Sequence, residues 1–128
     1  MTFTRPLYNR TGTKREFWDP IWIKVHKREF FLCTCAMGNV LRHWVYFLGT
    51  PDEAKTFYYT ARLTGAKGEE VLYTGKVNPL DISLTDITRG YECLVIGPQT
   101  ANEMKNQYDE LEVKVTIIDK NKGNNNYR

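Results

Sequence analysis

The sequence predicts an all-β domain: an antiparallel β-sandwich of about seven or eight strands with one short helix near residues 100–108. Three observations predict it. Apolar and polar residues alternate with period two in three separate segments. Two further segments are apolar on both faces and are joined by a turn dipeptide, Gly38-Asn39. Aromatic residues make up 13% of the chain, and such side chains fit a pleated, half-buried surface.

The elements follow in order. Met1 to Asp19 shows no clean period and is read as an N-terminal segment that can hold part of a first strand. From Ile21 to His26, Ile21, Ile23 and Val25 point one way, and Trp22, Lys24 and His26 point the other. Phe30 to Met37 and Val40 to Leu48 form the hairpin, and their two apolar faces predict a central position. Pro51 to Lys55 is a turn or a single helical turn, with proline at an allowed early position. Phe57 to Thr64 alternates cleanly, with Phe57, Tyr59, Ala61 and Leu63 inward. Across a glycine-rich turn, Val71 to Val77 is its predicted partner. Asp81 to Arg89 is ambiguous, since Asp81, Ser83 and Asp86 each suit the start of a turn. Tyr91 to Ile96 reads as a strand ended by Gly97-Pro98. Thr100 and Glu103 have capping-box spacing, which places a helix over the following residues to Tyr108. Leu111 to Ile117 alternates again. The tail Lys120 to Arg128 is polar and asparagine-rich and is expected to be disordered. The domain is therefore placed at 20–119, between the segment 1–19 and the tail 120–128.

A chain of 128 residues is one domain's worth and needs no cross-links to bury a core. Its 18 basic and 15 acidic residues give a net charge of +3, a mixed surface rather than a basic stripe. Lys14-Arg15 and His26-Lys27-Arg28 are the densest clusters and read as solvated surface. Three cysteines do not make a disulfide framework and point to a reducing compartment. No apolar run approaches a membrane span, and the first residues lack the apolar core of a signal peptide. A soluble cytoplasmic protein, with the nucleus as a second compartment, is the expectation.

No catalytic constellation stands out. His43 shares a strand face with Leu41, Val45 and Phe47, which suits a hydrogen-bonded core residue better than a base. Cys33 and Cys35 share a face, but structural zinc needs four ligands, and Cys93 lies far along the chain. Buried cysteine acting as a small hydrophobe is the stronger reading. Gly65 to Gly68 lies between two strand patterns and reads as a hairpin turn rather than a phosphate loop. No metal, no cofactor and no enzyme activity are expected. Trp22 is different. It alternates with Lys24 on the polar face of its strand, so either Phe17 or Trp18 covers it, or it belongs to a partner-binding face. The candidate partner-binding residues are Trp22, Lys24 and His26.

The ordered segments FFLCTCAM, HWVYFLGTPDEAKTFYYTARLTG and ECLVIGPQTANEMKNQYDELEVKVTI resemble the substrate-binding domain of the seven in absentia (Sina/Siah) ubiquitin ligases. That family shows an aromatic-rich strand ending in Leu-Ile-Gly-Thr, a short charged turn with alanine, a Phe-x-Tyr-x-Leu strand and a glycine hairpin. Cys-Leu-Val-Phe, a short helix and an alternating last strand follow. Leu48-Gly49-Thr50, Ala54, Phe57, Tyr59, Leu63, Gly65, Cys93-Leu94-Val95 and Val113, Val115 and Ile117 stand in those places. The resemblance covers about residues 20–119. It implies a TRAF-like sandwich, often dimeric, that binds an extended peptide against a sheet edge by β-augmentation. In the family a strand bearing Trp and, two residues on, Met contributes to the groove. Trp22 matches the first, and Lys24 departs from the second, which either favours a different, acidic peptide or abolishes this groove; residues 2–19 do not align with the family's upstream part of the groove. The RING and zinc fingers of such ligases have no counterpart in the chain. It therefore reads as the recognition and dimerisation domain of a Sina-type ligase, binding a segment of a substrate or adaptor protein. The alternative is a TRAF-like adaptor or scaffold without a ligase role. A nucleic-acid module using Lys14, Arg15, Lys27 and Arg28 beside Trp22 is the remaining reading.

Overall fold

A computed structural model describes residues 1–89 and 92–125. Its elements are β1 (Thr2–Pro6), β2 (Ile21–Val25), β3 (Arg28–Met37), β4 (Val40–Phe47), α1 (Pro51–Ala54), β5 (Phe57–Thr64), β6 (Glu70–Lys76), β7 (Asn78–Pro79), α2 (Leu84–Arg89), β8 (Leu94–Ile96), α3 (Pro98–Met104), β9 (Glu110–Asp119) and α4 (Lys120–Asn125). One sheet has the order β1-β9-β5-β6. The other runs β2-β3-β4, and both β7 and β8 lie on the far side of β4. Apart from the parallel β4–β7 pair, the ladders are antiparallel. The chain is an all-β sandwich, as the alternation predicts.

Period-two patterning builds the first sheet. Phe57, Tyr59, Ala61 and Leu63 of β5 and Leu111, Val113, Val115 and Ile117 of β9 are buried. They meet Phe30, Leu32, Leu41, Val45 and Phe47 of the facing sheet in one core. The hairpin of β3 and β4 turns on Gly38 (φ 58°) and Asn39 (φ 67°), the two positive dihedrals of a type I′ turn. Both its faces are apolar because both are covered. Cys33, Cys35 and Trp44 point outward and form a second small core with Ile87 of α2 and Cys93, flanked by Phe31, Tyr46, Ile82 and Leu84. The segment left ambiguous by sequence is that cover, and its helix starts where the Asp86 amide donates to Ser83 Oγ.

Several expectations change. Residues Thr2–Pro6 form a full edge strand on β9, and Trp18 is buried, its indole N–H donating to the Pro6 carbonyl. The domain boundary at residue 20 therefore cuts through the sandwich. The capping box lies not at Thr100 but at Thr50. There the Thr50 hydroxyl accepts from the Glu53 amide and the Glu53 carboxylate accepts from the Thr50 amide. Helix α3 starts earlier, with Gly97 at its N-cap, because Pro98 suits the first helical position and leaves Thr100 inside the first turn. The tail expected to be disordered is helical over Lys120–Asn125. Its first turn is tied down by the Asp119 carboxylate, which accepts from the Asn121 amide, and by Lys120 Nζ donating to the Lys55 carbonyl. Tyr91 and residues 126–128 lie outside the described residues.

Candidate functional site

Strand β2 is the edge of its sheet. A two-residue turn, His26 (φ 54°) and Lys27 (φ 61°), joins it to β3 and sets the register Val25↔Arg28, Lys24↔Glu29, Ile23↔Phe30, Trp22↔Phe31 and Ile21↔Leu32. In an antiparallel ladder closed by such a turn, alternate pairs exchange their backbone hydrogen bonds. Counting from Val25↔Arg28, the residues that bond to β3 are Val25, Ile23 and Ile21. The backbone N–H and C=O groups of Lys24 and Trp22 then point to the open edge. The Glu29 carbonyl turns the other way and accepts from the Leu48 amide, as this alternation requires.

The side chains follow the same alternation. Ile21, Ile23 and Val25 pack on the core. Trp22 and Lys24 are exposed on the outer face, and Trp22 retains 61% of its surface. Trp22 stands beside the half-buried Phe31, which is paired in turn with Tyr46, so an aromatic row crosses three strands. The Tyr46 hydroxyl donates to the Ile82 carbonyl and fixes the far end of the row. Neither residue expected as a cover for Trp22 reaches it: Trp18 is in the core and Phe17 is itself 68% exposed.

His26 does not join this face. The positive φ at His26 ends the strand at Val25 and swings the ring across to the other sheet. There it stacks on Phe57, and Nε2 sits 2.8 Å from the Ile117 carbonyl. The structure brings Trp22 and Lys24 together and separates His26 from them. The four basic residues of the nucleic-acid reading are also parted. Arg28, at the start of β3, lies over the Phe47 ring and is paired with Glu53 at 2.8 Å. Lys14 and Arg15 lie near Asn39, at its far end.

A family model described as Sina, TRAF-like domain matches residues 23–116. The chain belongs to this family. No curated protein matches it. The family match begins at Ile23, directly after Trp22, and runs into β9.

The other reactive groups of this Sina TRAF-like domain are locked in structure. Burial pushes the Cys33 thiol up to about 11 and raises Cys35 and Cys93 as well, so all three stay protonated and poorly nucleophilic. No group of three or more His, Cys, Asp or Glu among the described residues is arranged to hold a metal ion. His43 is 2% exposed, and its Nδ1 lies 3.0 Å from Thr34 Oγ1. Burial, with the Arg5 cation nearby, lowers it to about 3. Arg5 was invisible to sequence reasoning as a core residue. Its guanidinium donates to Thr34 Oγ1 and to the carbonyls of Asp19 and Leu32. One clue is present: Arg5 shares a strand face with Phe3, and the two alternate with Thr2 and Thr4. A Sina TRAF-like domain is a protein-interaction domain, and in this one an exposed tryptophan, Trp22, stands on an edge strand.

Proposed function

We propose that the domain recognises an extended segment of a partner protein, which adds as a strand to β2. One observation carries this reading: Trp22 and Lys24 turn their backbone groups to an edge that no described strand occupies and their side chains to the exposed outer face beside it. Main-chain bonds to those two residues supply affinity, and side chains at alternate positions of the partner supply selectivity. The Trp22–Phe31 surface takes an apolar residue, and Lys24 favours an acidic one two positions along. Recognition of substrates for a Sina-type ubiquitin ligase is the role that the family membership and this edge fit best, with self-association of the domain alongside it.

The test uses Lys24→Pro. It removes the outward N–H without touching the ladder to β3, and proline is tolerated on such an edge. Wild-type, Trp22→Ala, Lys24→Ala and Lys24→Pro proteins are used to capture partners from cell lysate, with mass-spectrometric reading and melting curves as folding controls. Partners retained by Lys24→Ala but lost by Lys24→Pro and Trp22→Ala support strand addition at β2. Identical partner sets for all four folded proteins remove β2 as the recognition edge.

A further inference from the structure

We propose a second recognition site at the opposite end of the sandwich, a pocket that takes an apolar side chain flanked by carboxylates in a partner peptide. It is independent of the β2 reading. The pocket reaches Ala36, about 16 Å of extended strand beyond Phe31, and it opens between the sheets rather than on the outer face.

The pocket is built by three elements that the sequence brings together late. The first is a small hairpin within residues 7–15. It is closed by the bridge Tyr8↔Lys14, by the Arg15 amide donating to the Leu7 carbonyl, and by Gly12 at φ 84°. The Leu7 amide donates to Asp109, and the Glu16 carbonyl accepts from the Ala36 amide, so both ends of this hairpin are anchored to the sandwich. The second is the β3–β4 turn, and the third is α3. Together they enclose about 340 Å³. That is the small end of the ligand-pocket range of about 300–1,000 Å³, suited to one or a few residues of an extended peptide.

The lining sets the chemistry. The floor is apolar, with Leu7, Trp18, Leu41 and Ala101. The charged groups are Lys14, Arg15 and Lys105 against Glu16 alone. Lys14 and the amides of Asn39 and Asn102 make no side-chain hydrogen bond or ion pair with any described residue. Arg15 is steadied by Nε donating to Asn9 Oδ1 at 3.2 Å, which leaves the terminal nitrogens of its planar fork for a carboxylate. Lys105 shares its charge with Asp109 at 2.8 Å and keeps further N–H groups of its ammonium for another acceptor. An apolar floor with an excess of cationic donors at its mouth complements an apolar side chain held between acidic neighbours.

The probe is the acetylated, amidated pentapeptide DDFDD, titrated into the whole ¹⁵N-labelled domain. Shifts are expected at the Trp18 indole and at the amides of Ala36, Gly38, Asn39, Ala101 and Asn102, with the Trp22 indole unmoved. Replacing the central phenylalanine with alanine should weaken binding about tenfold or more, the loss of one buried aromatic. Lys14→Glu, a change at an exposed side chain, should weaken it about tenfold with an otherwise unchanged spectrum. The proposal is overturned if millimolar DDFDD moves no pocket resonance. Equal binding of DDADD, or of KKFKK, overturns it too, as do shifts centred on Trp22. The β2 reading survives each of the first three results, and its own failure leaves this pocket untouched.

Discussion

Arg5 and His43 show how single residues set the conditions under which this fold is stable. A cation and an imidazole sit between the sheets, and the carboxylate that acts on Arg5, that of Asp19, makes no ion pair with it. Arg5 is tolerated because three oxygen acceptors meet its guanidinium, replacing the water it lost. His43 is tolerated because it stays neutral, its folded value lying near 3 against 6.5 when free. The consequence for pH has a definite sign. The unfolded chain binds a proton at His43 below about 6.5 and the folded domain does not. Stability is therefore full above that value and falls as pH drops from 6.5 towards 3. Between pH 6.5 and 5, before most carboxylates titrate, urea midpoints of the wild type should fall with pH. The slope from this group approaches at most about 1.4 kcal/mol per pH unit. His43→Gln should flatten that limb. An equal slope in the variant would mean that His43 does not stay neutral on folding. The same buried pair bears on the candidate site, because Arg5 holds the Asp19 carbonyl just before β2 begins and helps fix where Trp22 stands.

At the scale of elements, alternation made β2, β5 and β9 legible, and a glycine turn made the β3–β4 hairpin legible, because side-chain period and turn chemistry are local properties. The exposure of Trp22 followed from the same alternation. What was not legible depended on distant partners. β1 is disguised by a buried arginine, β7 is two residues long and exists only as a parallel partner of Tyr46 and Phe47, and α3 took its start from Pro98. The departure of His26 from the β2 face is not legible either, because nothing in Val25-His26-Lys27-Arg28 resembles the Asn-Gly pair that normally marks a type I′ turn. That mismatch yields a prediction. His26 has compensating contacts with Phe57 and Ile117. Lys27 is exposed and holds φ 61° with no such return, in a region that costs an L-residue about 1–2 kcal/mol. Lys27→Gly should therefore raise stability by about 0.5–1 kcal/mol, despite the entropy glycine adds to the unfolded chain. The denaturant midpoint measures it. A lowered midpoint would show that the turn is not strained at Lys27.

The whole molecule is larger than its most recognisable part. The family match covers 23–116, and the period-two segments lie within nearly the same range, yet the sandwich is closed by residues on either side of it. Phe3 and Trp18 belong to the main core, and β1 covers the edge of β9 from Glu110 to Lys114. Arg5 links that edge strand to the opposite sheet. Removing residues 1–19 therefore strips two buried aromatics and the guanidinium that bridges the sheets. It also bares a long alternating strand with its backbone unpaired, the kind of edge that templates aggregation. Each lost aromatic accounts for about 3 kcal/mol or more, so the pair approaches the whole stability of a small domain, about 5–15 kcal/mol. A chain beginning at Pro20 should express insolubly or melt far below the full chain. Adding a synthetic peptide of residues 1–19 to the truncated chain during refolding should recover soluble, cooperatively melting protein. If the truncated chain instead folds and melts like the parent, the core is carried by β3, β4, β5 and β9 alone, and β1 is an accessory strand.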